Sequence, residues 1–355
     1  MNYDTDFIIL AEQSHMTKEI SEIKINLIKE ATKHNFKIIL FELSPINFWI
    51  IMNKILTGDK NNLMKFFPDI WRTKSIEKIF DIPDVYISSY DIVQTFNDVN
   101  FDELSKECFK YHNEVFDFEF LKKIANKKFT DDLTVEKWVQ DQDILYENLD
   151  NLRNYFEKIV TSKKFKKSEF NKLHKYILLS IPTFLKIDYL SWSKRLSVMN
   201  ETEKIYWTFY MKQRDMLGSR YLIRLKKFKL KIIIWNHLFH AYYNYPKENK
   251  QINEYKPVNI EYTKNLKPVG YWLKKYNQKV YVLAILHGAG QILEYDEDKK
   301  IYFSVDYSQN IFDKQDFIHP PDEFMNIGTV LFYPLKDFDM IYYIPKISVP
   351  ELIEQ

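Results

Sequence analysis

Glycine is scarce. Only six glycines occur in 355 residues, and no GxGxxG or GxxxxGK[ST] stretch exists, which excludes a glycine-rich nucleotide loop. Cysteine is scarcer still. The single Cys108 rules out an intramolecular disulfide and a cysteine-rich zinc site. It stands in a helical-looking segment of mixed charge and reads as structural filler. Charge of one sign is also missing: the formal net charge of +2 provides no strong field for nucleic acid or anionic lipid. No apolar run reaches the roughly 20 residues of a membrane-spanning helix. The two acids Asp4 and Asp6 precede a short apolar run with no basic flank, the wrong order for a signal peptide. These absences lead to the expectation of a soluble cytoplasmic protein with neither nucleic-acid nor membrane partners.

Apolar material is plentiful. Hydrophobic residues form 46% of the chain, enough to bury the core of one large domain. Phe7-Ile8-Ile9-Leu10 is a short aliphatic run suited to a strand buried on both faces. After a loop, Thr17 is placed to cap a helix, with Glu19 in its first turn. Ile20, Ile23, Leu27, Ile28 and Ala31 recur at helical spacing, and His34 and Asn35 suit the helix end. Lys37 to Phe41 is a second buried strand, ended by Glu42 and Pro45. A strand–helix–strand unit of this kind implies parallel strands and a right-handed crossover.

The pattern returns late in the chain. Arg214 to Phe228 reads as a helix with Met216, Leu217, Tyr221, Leu222 and Leu225 on one face. Ile232 to Trp235, Lys279 to Leu286 and Asp339 to Ile344 read as strands. Between the halves, Leu43 to Tyr206 is dominated by helical patterns. Trp138, Leu145, Leu149, Leu152, Phe156 and Ile159 form the clearest stripe, which reads as packing surface. The basic run Lys163 to Lys167 reads as a solvated helix junction. The predicted fold is α/β: a mostly parallel central sheet flanked by helices, as one domain over 1–355, with a long helical insertion over 43–206.

Open parallel sheets bind ligands beyond the carboxyl ends of their strands. Glu12 and His15 follow the first strand, Glu42 ends the second, and His237 and His240 follow Trp235. Three strands thus deliver acids and imidazoles to one sheet edge. A histidine oriented by a carboxylate can take a proton from water as a general base. A second carboxylate can hold the water, and a further histidine can protonate a leaving alkoxide. Arg214 can pair with a carboxylate or stabilise an oxyanion. The set suits water attack on an activated carbonyl. No serine lies in a G-x-S-x-G elbow, and Ser14, beside His15, is poorly placed as a nucleophile.

The same residues carry a resemblance. The segment AEQSHMTKEISEIKINLIKEATKHNFKIILFEL is similar to the opening of the erythromycin esterase-like family: a strand, a Gly-Glu-x-x-His-Gly-type motif, a helix and a second strand ending in Glu. RDMLGSRYLIRLKKFKLKIIIWNHLFH resembles the family's second signature, an Arg-Asp helix leading to a strand and Trp-x-His-x-x-His. GYWLKKYNQKVYVLAILHGAG resembles its later Gly-Tyr segment and strand followed by glycine. The resemblance covers both ends of the chain and not the helical middle. It implies an α/β core, a helical insertion, and hydrolysis of a small-molecule ester or lactone by histidine-activated water, without a metal or other cofactor. His15 would be the general base, Glu12 and Glu42 its acidic partners, and His237 and His240 would complete the site. Arg214 matches the family arginine.

The chain departs from the family at several points. Ala11 and Met16 replace glycines on either side of the Glu–His motif, and Met16 is placed to narrow the pocket. Leu238 stands where asparagine often follows the first histidine. Lys24 sits where the first helix often has an arginine. These changes spare the acid–histidine set and leave open whether the substrate is a macrolide. Two other classes fit the same residues: a metal-dependent hydrolase using the Glu and His side chains as ligands, and a non-catalytic ligand-binding relative.

Overall fold

The computed structural model describes residues 1–13, 15, 17–68, 71–96, 99–127, 142–165, 170–198, 203–241, 267–296, 301–307, 316–318, 324–326, 332–334 and 338–353. Ser14, Met16, Trp138, Lys166, Lys167 and His319, singled out or weighed in the sequence, lie outside the described residues. Contacts divide the chain into two compact units. A sheet unit comprises 1–41, 67–85 and 229–355; a helical unit comprises 42–66 and 86–228.

The sheet unit opens with β1 (Phe7–Glu12), all six residues buried. Fully burying one aliphatic or phenyl side chain contributes about 1.5–3 kcal/mol, so such a run specifies a central strand. Helix α1 (Lys18–Thr32) follows, then β2 (Phe36–Phe41). Asn35 takes a left-handed backbone (φ 68°) between them, the conformation expected of a residue that ends a helix. Thr17 stands at the extended N-cap position, but its side chain makes no cap bond, and its hydroxyl is buried without a hydrogen-bond partner among the described residues. The Glu19 carboxylate in the first turn instead accepts the Ser348 backbone N–H at 2.7 Å and its hydroxyl, tying the helix start to the chain end.

The remaining strands are β4 (Lys231–His237), β5 (Val280–Asp296), β6 (Ile301–Tyr307), β7 (Asp316–Ile318), β8 (Phe324–Asn326), β9 (Phe332–Pro334) and β10 (Met340–Ile347); β3 (Tyr86–Ser89) belongs to the helical unit. The sheet runs β2-β4-β1-β5-β10-β7, with β6 pairing β5. The pairs β2–β4, β4–β1, β1–β5 and β5–β10 are parallel. Antiparallel strands occur where β7 meets β10 and β6 meets β5. Gly290 marks the far stretch of β5. Its φ of +141° and the Ile347 carbonyl, which any Cβ would overlap, leave room only for glycine. The expected strands are all present in an α/β fold, and β5 runs well past the predicted end.

The helical unit begins at Glu42. Pro45 opens α2 (Pro45–Thr57), a position where its missing N–H costs nothing, and Gly58 caps it with φ +88°. Long helices Gln142–Thr161, Asn171–Val198 and Glu203–Leu225 follow. Leu145, Leu149, Leu152, Phe156 and Ile159 are buried, as their spacing predicts. The stretch is not purely helical: β3 (Tyr86–Ser89) lies within it, packed on α2. The buried face of Glu203–Leu225 matches the expected one at Tyr221, Leu222 and Leu225 and departs from it earlier in the helix. Met216 and Leu217 are half-buried, while Arg214, Asp215, Gly218, Ser219, Tyr221, Leu222 and Leu225 are buried. Cys108 is buried in the helix Phe101–Phe109, as a filler residue would be.

Candidate active site

Parallel pairing fixes the first cluster. Glu12, the last residue of β1, is in register with His237, the last residue of β4, and Leu10 with Trp235. His237 thus ends its strand rather than following it. The Glu12 carboxylate is fully buried and receives three donors. His15 Nδ1–H donates to Oε1 at 2.5 Å. The Lys24 ammonium, itself fully buried, lies 2.7 Å from Oε2. The Trp235 indole N–H spans both oxygens at 3.2 and 3.1 Å. Burial alone would raise this carboxyl, but Lys24 and the hydrogen bond from His15 outweigh it and hold Glu12 below the ordinary carboxylate range. Glu12 is therefore ionised, as an acceptor of three donors must be.

His15 differs from its partner in exposure. Its side chain is 27% accessible, against 0% for Glu12. With Nδ1 donating to the carboxylate, neutral His15 carries its lone pair on Nε2, the atom that takes a proton in base catalysis. Its ring lies 5.0 Å from that of His237 and 5.0 Å from the Trp71 indole, both tilted. Trp71 packs edge-on against Phe41 and Trp235, so an aromatic wall stands beside the imidazole. His237 Nε2–H donates to the Gln13 carbonyl at 2.9 Å, and Gln13 Oε1 accepts the His287 backbone N–H at 2.9 Å. The loop after β1 is thereby fixed to β4 and β5. His240 is buried in the turn Leu238–His240, which packs on β1. His287 is buried too, and burial lowers its pKa against the opposing hydrogen bond to Gly288.

The second cluster lies in the helical unit. Arg214 binds Glu42 Oε1 through one terminal nitrogen at 2.6 Å. It binds Asp91 Oδ2 through Nε at 2.8 Å and a terminal nitrogen at 2.5 Å. Of its two predicted roles, pairing with a carboxylate is the one seen. The close approach has a sequence cause. Gly218 lies one helical turn after Arg214, and a Cβ there would meet the Tyr90 ring at 3.0 Å and its carbonyl at 3.2 Å. Glycine lets the Tyr90–Asp91 backbone sit against the helix, within reach of the guanidinium.

Sequence reasoning named Glu12, His15, His237, Glu42 and Arg214 but assigned no role to Lys24, Trp235 or Asp91. One signal was available. Lys24 follows Ile20 and precedes Ile28 by four residues, so it stands on the buried face of α1, where a charge requires a partner. Nothing comparable marks Asp91, whose partner is 123 residues away. Among the described residues, no three His, Cys, Asp or Glu side chains gather as a metal-binding group. Among them, too, no helix is long and apolar enough to cross a membrane.

Comparison with solved structures places this architecture among known folds. The chain is similar to a protein from Bacillus cereus, at 15% identity and a TM-score of 0.66, covering 99% of this chain and 90% of that one. It is similar to a succinoglycan biosynthesis protein, at 13% identity and a TM-score of 0.63, covering 98% and 90%. It is also similar to an erythromycin esterase mutant in its open conformation, at 13% identity and a TM-score of 0.57, covering 99% and 93%. No family model and no curated protein matches the chain. The α/β fold is therefore shared with these three proteins.

Proposed function

We propose that this protein is a hydrolase that cleaves a carboxylic ester or lactone by attack of a water molecule activated by His15. The observation that carries the reading is the 2.5 Å bond from His15 Nδ1 to a buried, ionised Glu12. It fixes the tautomer and leaves Nε2 as the base. The water proton passes to Nε2 as oxygen adds to the carbonyl carbon, and Glu12 stabilises the imidazolium. When the tetrahedral intermediate collapses, the leaving alkoxide takes that proton back. His237, held through Nε2 by the Gln13 carbonyl, is assigned to orient the water. General-base catalysis of this kind contributes about 10²–10⁴-fold.

Likeness of fold to an erythromycin esterase supports the ester class. The resemblance of the Glu42 and Arg214 segments to that family supports counting both, with His240, among the site residues, and reading the chain as one domain with a helical insertion over 43–206. Ala11, Met16 and Leu238 depart from the family pattern, so the proposal is for the ester class and not for a macrolide in particular. The test is a panel of alkyl esters, aryl esters and lactones, with the protein's intact mass followed during turnover. Hydrolysis with unmodified protein is expected. An accumulating acyl adduct would replace water attack with a covalent mechanism.

A further inference from the structure

Glu12 is the partner of two cations or near-cations, and the two sit on different oxygens. His15 takes Oε1 and Lys24 takes Oε2. Lys24 is held there by more than the ion pair. Its ammonium approaches the Asn236 carbonyl at 3.4 Å and lies 4.7 Å above the Trp235 ring. Trp235 itself donates to Glu12, so carboxylate, ammonium and indole form one closed buried unit. The contact of the ammonium with Oε2 leaves Oε1 to His15.

We propose that Lys24 is a positioning residue that sets the protonation balance of the Glu12–His15 pair. Its ammonium keeps Glu12 ionised and offsets the pull of that carboxylate on the imidazole proton. A histidine facing an uncompensated buried carboxylate holds its proton tightly, because releasing it strands a bare charge in the interior. Such a histidine is a poor acceptor of a proton from water. With Lys24 behind the carboxylate, deprotonated His15 leaves a neutral Lys–Glu pair instead. The groups facing His15 agree with this account: Glu12 from β1, the His237 ring from β4, and Lys24 from α1 across the carboxylate, with Trp71 adding an uncharged indole. The lowered Glu12 carboxyl is consistent with it.

The catalytic consequence rests on the ester-hydrolase reading; the electrostatic claim does not. Its test is an NMR titration of the His15 ring in the whole protein, without substrate. In Lys24→Gln, which keeps a donor and removes the charge, the His15 titration is expected to move up by about one to two pH units. Lys24→Arg, which keeps the charge, should move it by less than half as much. An unchanged or lowered midpoint in Lys24→Gln overturns the proposal. If Lys24→Gln does not fold, the wild type decides. The Glu12 carboxyl carbon and the Lys24 side-chain nitrogen should keep the signatures of carboxylate and ammonium on both sides of the His15 titration. A Lys24 signal that changes charge together with His15 overturns it. Where a substrate is in hand, the acid limb of kcat/KM in Lys24→Gln should follow the His15 midpoint. A shifted midpoint with no hydrolysis in the wild type would sink the ester reading and leave the role of Lys24 intact.

Discussion

Two histidines in this chain have nearly the same neighbours and opposite chemistry. His15, in the sheet unit, sits beside Trp71 and bonds an ionised carboxylate. His174, in the helical unit, stacks on Trp49 with centroids 4.9 Å apart and planes 6° apart. Its partners are neutral: the Tyr86 hydroxyl donates to Nδ1 at 2.8 Å, and Nε2–H donates to Asn53 Oδ1 at 3.1 Å. His174 is 1% exposed, and burial pushes its imidazole from 6.5 down to about 3. Both of its nitrogens are used to hold helices and a strand together. His15 uses one nitrogen for orientation, and its side chain is part-exposed. A tryptophan neighbour and a hydrogen bond therefore do not distinguish a working histidine from a structural one. The charge of the partner and the exposure of the ring do.

That contrast can be broken by exchanging what each histidine loses. Activity should respond most strongly. His15→Ala is expected to lower ester turnover by about 10²–10⁴-fold, the scale of general-base catalysis. It should leave the unfolding midpoint in urea nearly unchanged, because the ring is part-exposed beyond a strand end. His174→Ala should do the reverse. It removes the acceptor of the Tyr86 hydroxyl and one of the donors to Asn53 Oδ1, and opens a void against Trp49, costing about 2–5 kcal/mol in denaturant unfolding. Turnover per folded molecule should be unaltered. A stable His174→Ala protein, or one that folds and has lost turnover, would collapse the distinction.

The next effect is in pH. The unfolded chain protonates this histidine near 6.5 and the folded chain only near 3. Between those values the unfolded state holds the extra proton, so stability falls as pH drops through the window, by about 1.4 kcal/mol per unit. His174→Phe keeps the stack and removes the titrating group. Its stability should depend on pH less steeply over that range, by one proton, measured as the slope of unfolding free energy against pH. Equal slopes would show that His174 is not the buried neutral base described. The smallest effect concerns Arg214. Gly218→Ala pushes a methyl to 3.0 Å from the Tyr90 ring. A destabilisation of about 1 kcal/mol is expected from this overpacking, read from the thermal midpoint. A stabilised variant would mean that the helix and the Tyr90 backbone have slack the structure does not show.

Much of this was legible in the sequence, for local reasons. Phe7 to Leu10 and Ile232 to Trp235 are unbroken apolar runs, and a strand buried on both faces admits little else. Glu12, His15, Glu42 and His237 could be read because they stand directly at strand ends, where topology assigns a place without knowledge of packing. What escaped depends on distant partners. Lys24 meets its carboxylate only after the crossover folds back, and Asp91 waits for Arg214. β3 reads Tyr-Ile-Ser-Ser, too short and polar to stand out, yet all four residues are buried. On the helix Glu203–Leu225, the polar Arg214 and Asp215 are buried, so an apolar stripe that includes Met216 and Leu217 misses part of the buried face. Polar residues placed inside for a specific partner defeat periodicity.

The central claim is that His15, oriented by ionised Glu12, is the base of an ester hydrolase. The most direct measurement is hydrolysis of one panel of esters and lactones by the wild type and by His15→Ala, matched for fold by circular dichroism. The account predicts wild-type turnover of at least one panel member, with a loss of about 10²–10⁴-fold in the variant. Equal rates in the two proteins, or no hydrolysis by the wild type across the panel, would contradict it.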